Sequence, residues 1–132
     1  MARLSKQLAM AAAALACGMA TAGKAQEIPD ANPMSGDKAA IREGKSWFMN
    51  VCSVCHGGKG DGAGDRGAGA DLRKFDKGFK QFVMTVKNGK DTGRNITMPA
   101  WGGVLEDKSI YQIGAFLETL AIEGANWKEG KQ

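Results

Sequence analysis

The sequence predicts an all-α fold, because three separate segments place apolar residues three or four positions apart, the spacing of a helix face. A glycine-rich stretch separates the first two segments and is too rich in glycine to continue a helix or to form a strand. The length of 132 residues allows one small domain. We therefore expect three main helices joined by loops around a single core.

The first 25 residues have the layout of a secretory signal peptide. Arg3 and Lys6 form a charged start, an alanine-rich apolar stretch covers 8–19, and small residues follow at 20–25. The apolar stretch is shorter than the roughly 20 residues that a membrane-spanning helix needs. We therefore predict export without stable membrane insertion. The alternative interpretation of the same segment is a lipid anchor on Cys17.

Removal of residues 1–25 lowers the formal net charge from +4 to +1, because Arg3, Lys6 and Lys24 leave without any acid. The basic balance of the whole chain therefore does not indicate a nucleic-acid partner. An asymmetry remains after the removal. Residues 59–94 carry nine basic and five acidic side chains, whereas residues 104–132 carry three basic and five acidic ones.

Residues 26–37 contain two of the three prolines and indicate an irregular lead-in to the domain. Ser35 or Asp37 is the expected cap of the first helix. The apolar face of this helix, which starts at Lys38, consists of Ile41, Gly44, Phe48, Val51, Cys52 and Cys55. A glycine in mid-helix costs about 1 kcal/mol against alanine. We therefore expect another backbone to approach Gly44 closely, with Gly114 of the last helix facing it.

The first helix ends in Cys52-Ser53-Val54-Cys55-His56, a spacing typical of covalent haem attachment. One helical turn brings both thiols to one porphyrin edge, where each adds across a vinyl group, and directs the imidazole at the iron. A zinc site needs about four Cys or His ligands, whereas His56 is the only histidine. A redox dithiol needs a strand before it, whereas a helical pattern precedes this motif. We therefore predict one covalently attached haem c with iron, bound by Cys52 and Cys55, with His56 as an iron ligand.

The stretch 57–69 after the motif holds seven glycines and predicts a loop that wraps the histidine side of the haem. A phosphate cradle is an alternative, but it requires a strand before the loop and a Gly-Lys-Ser/Thr sequence. A calcium loop is another, but Asp61 and Asp65 supply too few oxygens for the six or more that calcium usually takes.

The second helix is predicted to start at Asp76 and to stop at Asn88-Gly89. Its aromatic face is Phe75, Phe79, Phe82, Val83 and Val86. Lysines on its other faces, Lys74, Lys77, Lys80 and Lys87, have two open interpretations, a solvated surface or a docking surface. The last helix is predicted to start near Glu106 or Asp107 and to end near Gly124. Trp127, in a polar tail, is expected to pack back on the domain.

The iron needs a second ligand, and with no second histidine the expected donor is a methionine thioether. Met1, Met10 and Met19 leave with the signal peptide, and Met34 lies in the lead-in. Met49 and Met84 fall in predicted helices, where methionine usually fills the core. Met98 lies in a segment fixed by Pro99, 42 positions after His56. We predict Met98 as the second ligand; the alternative is a sixth position left open.

The chain resembles class I, mitochondrial-type monohaem cytochromes c across residues 38–122. The matching residues are Gly44, Phe48, Cys52, Cys55, His56, Met98, Pro99, Ile113, Phe116 and Leu117. The stretches 69–75, 98–105 and 110–114 are also similar to periplasmic cytochromes that take electrons from quinoprotein alcohol dehydrogenases. The resemblance implies an exported domain of residues 38–124, a tail of 125–132, and helices and loops wrapped around one haem.

The same resemblance implies a monomeric periplasmic one-electron carrier that is not an enzyme. Its partners would be redox proteins: a periplasmic dehydrogenase as donor, and an oxidase or another cytochrome of a respiratory chain as acceptor. The alternative is a peroxidase-like haem enzyme or gas sensor with an open sixth iron position. A peroxidase usually needs a distal acid or base, and the chain has no spare histidine for that role.

The loop after the motif departs from the family pattern at one position. Family members commonly carry Gly-Pro-x-Leu there, and the proline carbonyl accepts the Nδ1 proton of the haem histidine. This chain has Ala70 in place of that proline. Any residue has a carbonyl, so the hydrogen bond can survive this change, but the loop loses the fixed φ angle of proline. The sequence therefore leaves open which group accepts the Nδ1 proton of His56.

Overall fold

The computed structural model describes residues 26–67, 69–93 and 95–128. The predicted signal peptide, with Cys17, lies outside the described residues. The α-helices in the described ranges are α1 (Lys38–Trp47), α2 (Ser53–His56), α3 (Phe79–Asn88) and α4 (Asp107–Thr119). A π-helical turn, Phe48–Cys52, joins α1 to α2, and a 3-10 turn covers Leu72–Lys74. Within these ranges the extended pairing is one isolated bridge between Lys90 and Met98. The predicted all-α fold with three main helical segments is confirmed.

The first helical segment runs from Lys38 to His56 with one change of winding. Asp37 caps it, because its Oδ1 accepts a hydrogen bond of 2.8 Å from the Ala40 N–H. The Phe48 carbonyl accepts from the Ser53 N–H, which closes the wider π-helical turn between α1 and α2. Such turns occur frequently at functional sites. Both cysteines therefore lie on a helix whose buried face already anchors it to the core through Phe48.

Helices α1 and α4 cross at Gly44. A Cβ at this position would overlap the Gln112 carbonyl and would lie 2.9 Å from the Ile113 nitrogen. The predicted close approach to the end of the chain is confirmed, but the predicted pairing of Gly44 with Gly114 is wrong. Gly114 is two positions, or about 200° of rotation, beyond Gln112 on α4. It therefore faces Phe79 and Phe82 instead, with a Cβ there 3.1 and 3.2 Å from their rings.

Alanine at position 44 should destabilise the protein. The better helix propensity of alanine favours the variant by about 1 kcal/mol, but the overlap with the Gln112 backbone forces two helices apart. Overpacking of this kind typically costs about 1–3 kcal/mol and more where backbone must move. We expect a net loss of stability, measured by urea unfolding of the haem-loaded protein. Gly103→Ala is the matched control, since a Cβ there meets open space; equal stability of both variants would contradict the crossing.

Helix α3 starts later than predicted. It begins at Phe79, after Gly78 with a φ of +80°, and not at Asp76. The Gly78 and Phe79 N–H groups donate to the carbonyls of Asn126 and Trp127 in the tail, so contacts distant in sequence fix this helix start. Phe75 lies outside the helix and packs against Trp127 with ring centroids 4.9 Å apart.

Helix α4 ends earlier than predicted, at Thr119 and not near Gly124. The Ile122 N–H donates to the Arg73 carbonyl at 3.0 Å, and the Asn126 N–H donates to the Phe75 carbonyl at 2.8 Å. These bonds turn the chain back across the domain. Trp127 is buried at 8% exposure, which confirms its predicted packing. Of the helices described, none is long and apolar enough to cross a membrane.

Candidate haem site

The two cysteines of the motif are free, half-buried thiols one turn apart on the helical segment. Cys52 also packs against the main core cluster. Burial, with a smaller contribution from the neighbouring Cys55, raises the pKa of the Cys52 thiol to about 11. A redox dithiol needs a lowered thiol pKa. The local environment of Cys52 therefore disfavours a redox role and suits a thiol that is consumed in a stable bond.

His56 is held by its Nδ1 atom, which lies 3.0 Å from the Ala70 carbonyl oxygen. Because a carbonyl can only accept, Nδ1 donates in this bond, which leaves Nε2 as the ring nitrogen available to a metal. A metal-binding histidine is commonly oriented in this way. The acceptor that the sequence left open is thus the Ala70 carbonyl, although alanine replaces the proline of the family pattern.

The glycine-rich stretch forms a loop, as predicted, and this loop wraps the end of α2. The carbonyls of Val54, Cys55 and His56 accept hydrogen bonds from loop N–H groups at 3.1, 3.1 and 2.8 Å. A Cβ at Gly69 would lie 2.6 Å from the Cys55 carbonyl carbon, so the contact needs a residue without a side chain. The described part of the loop, 57–67 and 69, belongs to no group of three or more His, Cys, Asp or Glu that could hold a metal ion. The loop therefore serves the helix end that carries His56.

A pair of charged side chains follows Ala70. Asp71 caps the 3-10 turn and binds the Arg73 guanidinium, with 2.8 Å between Oδ2 and Nη2. The Arg73 hydrogen bond, above all, lowers the pKa of Asp71 to about 2, so its carboxylate is ionised at neutral pH. Sequence reasoning missed this pair. An aspartate one residue before a short helical turn is itself a capping signal that could have indicated it.

Met98 lies 42 positions after His56 in the sequence. Backbone hydrogen bonds fix its place in the fold. Its N–H donates to the Lys90 carbonyl and its carbonyl accepts from the Lys90 N–H, both at 3.0 Å. Gly89 lets the two segments approach, since a Cβ there would lie 2.6 Å from the Met98 oxygen. The Met98 side chain is half-buried and packs against the same core cluster as Cys52.

The other two methionines of the helical segments do not fill the core. Met49 and Met84 are 45% and 40% exposed, so the prediction that they are core residues is wrong. Met49 lies in the π-helical turn and Met84 in α3, each on a solvent-exposed face. Periodicity identified the two helical segments but not which positions faced water.

The donor set and its surroundings fit a haem c. Two thiols one turn apart suit two vinyl additions, and an imidazole with Nδ1 already bonded suits an axial ligand. A half-buried thioether is available in Met98. Apolar side chains that are only partly covered pack on the same core and suit contact with a macrocycle; they include Ile41, Leu72, Phe75, Trp101 and Leu120.

The lysines in and near α3 differ in their exposure and in their ion pairs. Lys87 is half-buried and pairs with Asp107 at 2.7 Å, which ties α3 to α4. Lys80 approaches Asp30 at 3.8 Å, with the Asp30 side chain 92% exposed. Lys74 and Lys77 are exposed. A structural role is therefore assigned to Lys87, whereas Lys74, Lys77 and Lys80 have exposed side chains.

Comparison with known proteins places these features in a family. The family model described as cytochrome c oxidase, cbb3-type, subunit III matches residues 39–117. The fold is similar to the crystal structure of cytochrome cL from the marine methylotrophic bacterium Methylophaga aminisulfidivorans, with 23% identity and a TM-score of 0.56 over 77% of this chain and 72% of that one. It is also similar to a chain of the reducing HAO-like protein complex of Kuenenia stuttgartiensis, with 18% identity and a TM-score of 0.53 over 74% of this chain and 50% of that one. At these identities, both likenesses concern the fold alone.

Proposed function

We propose that this chain is a periplasmic carrier of one electron at a time. The proposal starts from its family, because the chain belongs to the cytochrome c family described as cytochrome c oxidase, cbb3-type, subunit III. The family implies a covalently bound haem c with iron, and the single Cys-x-x-Cys-His motif limits the chain to one. The observation that carries the proposal is the bond between His56 Nδ1 and the Ala70 carbonyl. It leaves Nε2 as a preset ligand atom on the residue next to two half-buried thiols.

In this proposal each side chain of the site has one task within a domain of residues 38–124. Cys52 and Cys55 would hold the haem covalently, while His56 Nε2 and the Met98 thioether would ligate the iron. When bound, the haem supplies a reversible one-electron oxidation. The chain keeps both ligands in place: Ala70 fixes the ring of His56, and the paired bonds to Lys90 fix the backbone of Met98. Ligands that do not move between oxidation states suit electron transfer.

A redox titration tests the carrier function. We expect the purified protein to take up one electron per chain reversibly and to bind neither carbon monoxide nor cyanide rapidly, because the thioether already occupies the sixth position. Rapid binding of either ligand would instead support a haem enzyme or gas sensor with an open position. The spectrum of the reduced protein with and without carbon monoxide is sufficient to distinguish the two.

For the electron donor we propose a quinoprotein alcohol dehydrogenase, and for the acceptor an oxidase or another cytochrome. The support is the basic excess of residues 59–94 together with the exposure of Lys74, Lys77 and Lys80. An acidic docking surface, or an apolar one with an acidic rim, would complement this segment. Complementary charge acts mainly on the rate of encounter and weakens with salt.

Reversal of the exposed lysine charges should slow reduction by such a dehydrogenase. For Lys77→Glu with Lys80→Glu we expect a decrease on the order of tenfold at low salt, because each reversal changes the charge by two units and unit charges ~10 Å apart in water interact by about 0.4 kcal/mol before screening. Stopped-flow reduction at increasing salt is the measurement. The matched control is Lys38→Glu with Lys108→Glu, which makes the same charge change at exposed positions outside residues 59–94. A rate that is independent of salt and equal in both variants would show that docking is apolar.

A further inference from the structure

The carbonyl that orients His56 belongs to a residue with little rigidity of its own. Ala70 is exposed and follows a stretch rich in glycine. Its carbonyl lies in the peptide unit between Ala70 and Asp71, so the direction of the oxygen depends on the ψ angle of Ala70 and the φ angle of Asp71. Asp71 has a φ of −70° and a ψ of 105°, an extended conformation that ends where the 3-10 turn begins.

Side-chain bonds hold Asp71 in that conformation. Its Oδ1 accepts from the Arg73 backbone N–H at 3.0 Å and from Arg73 Nε at 2.9 Å, and its Oδ2 accepts from Nη2 at 2.8 Å. The guanidinium therefore binds both carboxylate oxygens, an arrangement that fixes direction as well as distance. Both side chains are about one-third exposed, at 34% for Arg73 and 28% for Asp71.

Backbone bonds anchor the chain on either side of the same peptide unit. The Gly69 N–H donates to the Cys55 carbonyl at 3.1 Å, and the Leu72 N–H donates to the Gly60 carbonyl at 2.7 Å. The Arg73 carbonyl accepts from the Ile122 N–H at 3.0 Å. With both flanks held, the main freedom left to the Ala70 carbonyl is rotation of its own peptide plane. The bonds of the Asp71 side chain hold the Asp71 Cα, about which that peptide plane turns, against the 3-10 turn.

We propose that Asp71 and Arg73 form a clamp that directs the Ala70 carbonyl at His56 Nδ1, and that Asp71 is a positioning residue for the iron ligand. The clamp takes over the restriction that a rigid residue at position 70 would otherwise supply. A well-directed hydrogen-bond acceptor at Nδ1 makes the imidazole a stronger electron donor to the iron, and this favours the oxidised state of the iron. This inference rests on the proposed role of His56 as a ligand.

Charge alone must be separated from positioning, because both residues of the clamp are ionised. Loss of an anion near the site raises the reduction potential and loss of a cation lowers it, if only charge matters. If positioning matters, loss of either residue raises the potential, since the hydrogen bond to His56 weakens in both cases. Asp71→Ala and Arg73→Ala therefore give the same sign under the proposal and opposite signs under the electrostatic account.

The test uses the haem-loaded protein and two measurements, solvent exchange of the His56 Nδ1 proton by NMR in the reduced state and the reduction potential. We expect exchange about fivefold faster in Asp71→Ala, the loss typical of a removed cap. In Arg73→Ala we expect exchange faster than in the wild type by a smaller factor, because the guanidinium bonds are lost but the backbone N–H of residue 73 still donates to Asp71. We expect potentials higher than wild type in both, by about a threefold shift in the oxidised-to-reduced ratio, or about 28 mV at 59 mV per tenfold.

Two further variants serve as controls. Asp71→Asn loses the charge but keeps an oxygen for the Arg73 N–H, so its exchange should lie between wild type and Asp71→Ala, and this variant suffices if Asp71→Ala does not fold. Asp65→Ala removes an exposed acid of the same loop and should leave exchange unchanged. Wild-type exchange in both alanine variants, with a lowered potential in Arg73→Ala, would overturn the clamp. The one-electron titration of the wild type reports the proposed function separately.

Discussion

Replacement of Cys52 and Cys55 together by serine is expected to give a protein that carries no haem and does not fold. Cys52 packs against the core cluster, and half-buried apolar residues such as Leu72 and Trp101 pack on the same cluster. Without the haem these surfaces stay in contact with water, and a domain of this size has little other apolar area to bury. Far-UV circular dichroism after export should show little helix and no cooperative thermal transition.

The control for this variant is Cys17→Ser, which makes the same chemical change in the predicted signal peptide. It should leave haem content and the thermal transition of the exported protein unchanged. Recovery of a stable, haem-free helical domain from the double serine variant would show that the polypeptide folds without its prosthetic group. In that case the core around Phe48 and Phe116, whose rings lie 5.5 Å apart, would suffice on its own.

The parts of the fold that sequence predicted well are those fixed by nearby residues. Asp37 caps the first helix through a hydrogen bond to a residue three positions away. Glycine in mid-helix is costly, so its presence at position 44 indicated that another backbone crosses closely there. The end of the first segment was predictable because the haem motif requires both thiols on one helical turn. In each case the signal that allowed the prediction lies within a few residues of the predicted feature.

The parts that sequence predicted poorly depend on contacts between distant segments. The start of α3 is set by bonds from Gly78 and Phe79 to the tail, and the early end of α4 is set by the return of Ile122 to the Arg73 carbonyl. The partner of Gly44 could not be read from spacing, because the angle between α1 and α4 decides which residue of α4 meets it. Local patterns contain no information on that angle.

The candidate site shows the same division. The order of Cys52, Cys55 and His56 was sufficient to propose covalent haem, since that chemistry occurs within one turn. The Asp71–Arg73 pair was not predicted, because it forms at a 3-10 turn of three residues, which is too short to show a periodic pattern. Met98 was proposed by elimination, and the paired bonds to Lys90 that fix its backbone became visible only in the fold.

Met98→Ala is expected to leave the haem covalently attached and to change its electronic properties. The cysteines and His56 are unaffected by this substitution, so haem content should equal that of the wild type. Loss of the thioether should abolish the weak iron–sulfur charge-transfer band of the oxidised protein. The reduction potential should fall, because a methionine ligand raises it relative to stronger donors such as water-derived or nitrogen ligands. We expect a decrease on the order of 0.1–0.3 V within the roughly 0.8 V that axial ligands span.

The matched controls are Met84→Ala and Met49→Ala, which remove the same thioether from side chains 40% and 45% exposed. Both should retain the band and a wild-type potential, because neither side chain packs against the core cluster that Met98 and Cys52 share. Loss of the band in Met84→Ala with its retention in Met98→Ala would move the second ligand to α3. Retention of the band in all three variants would leave Met34, which also packs on that cluster, as the remaining described methionine to test.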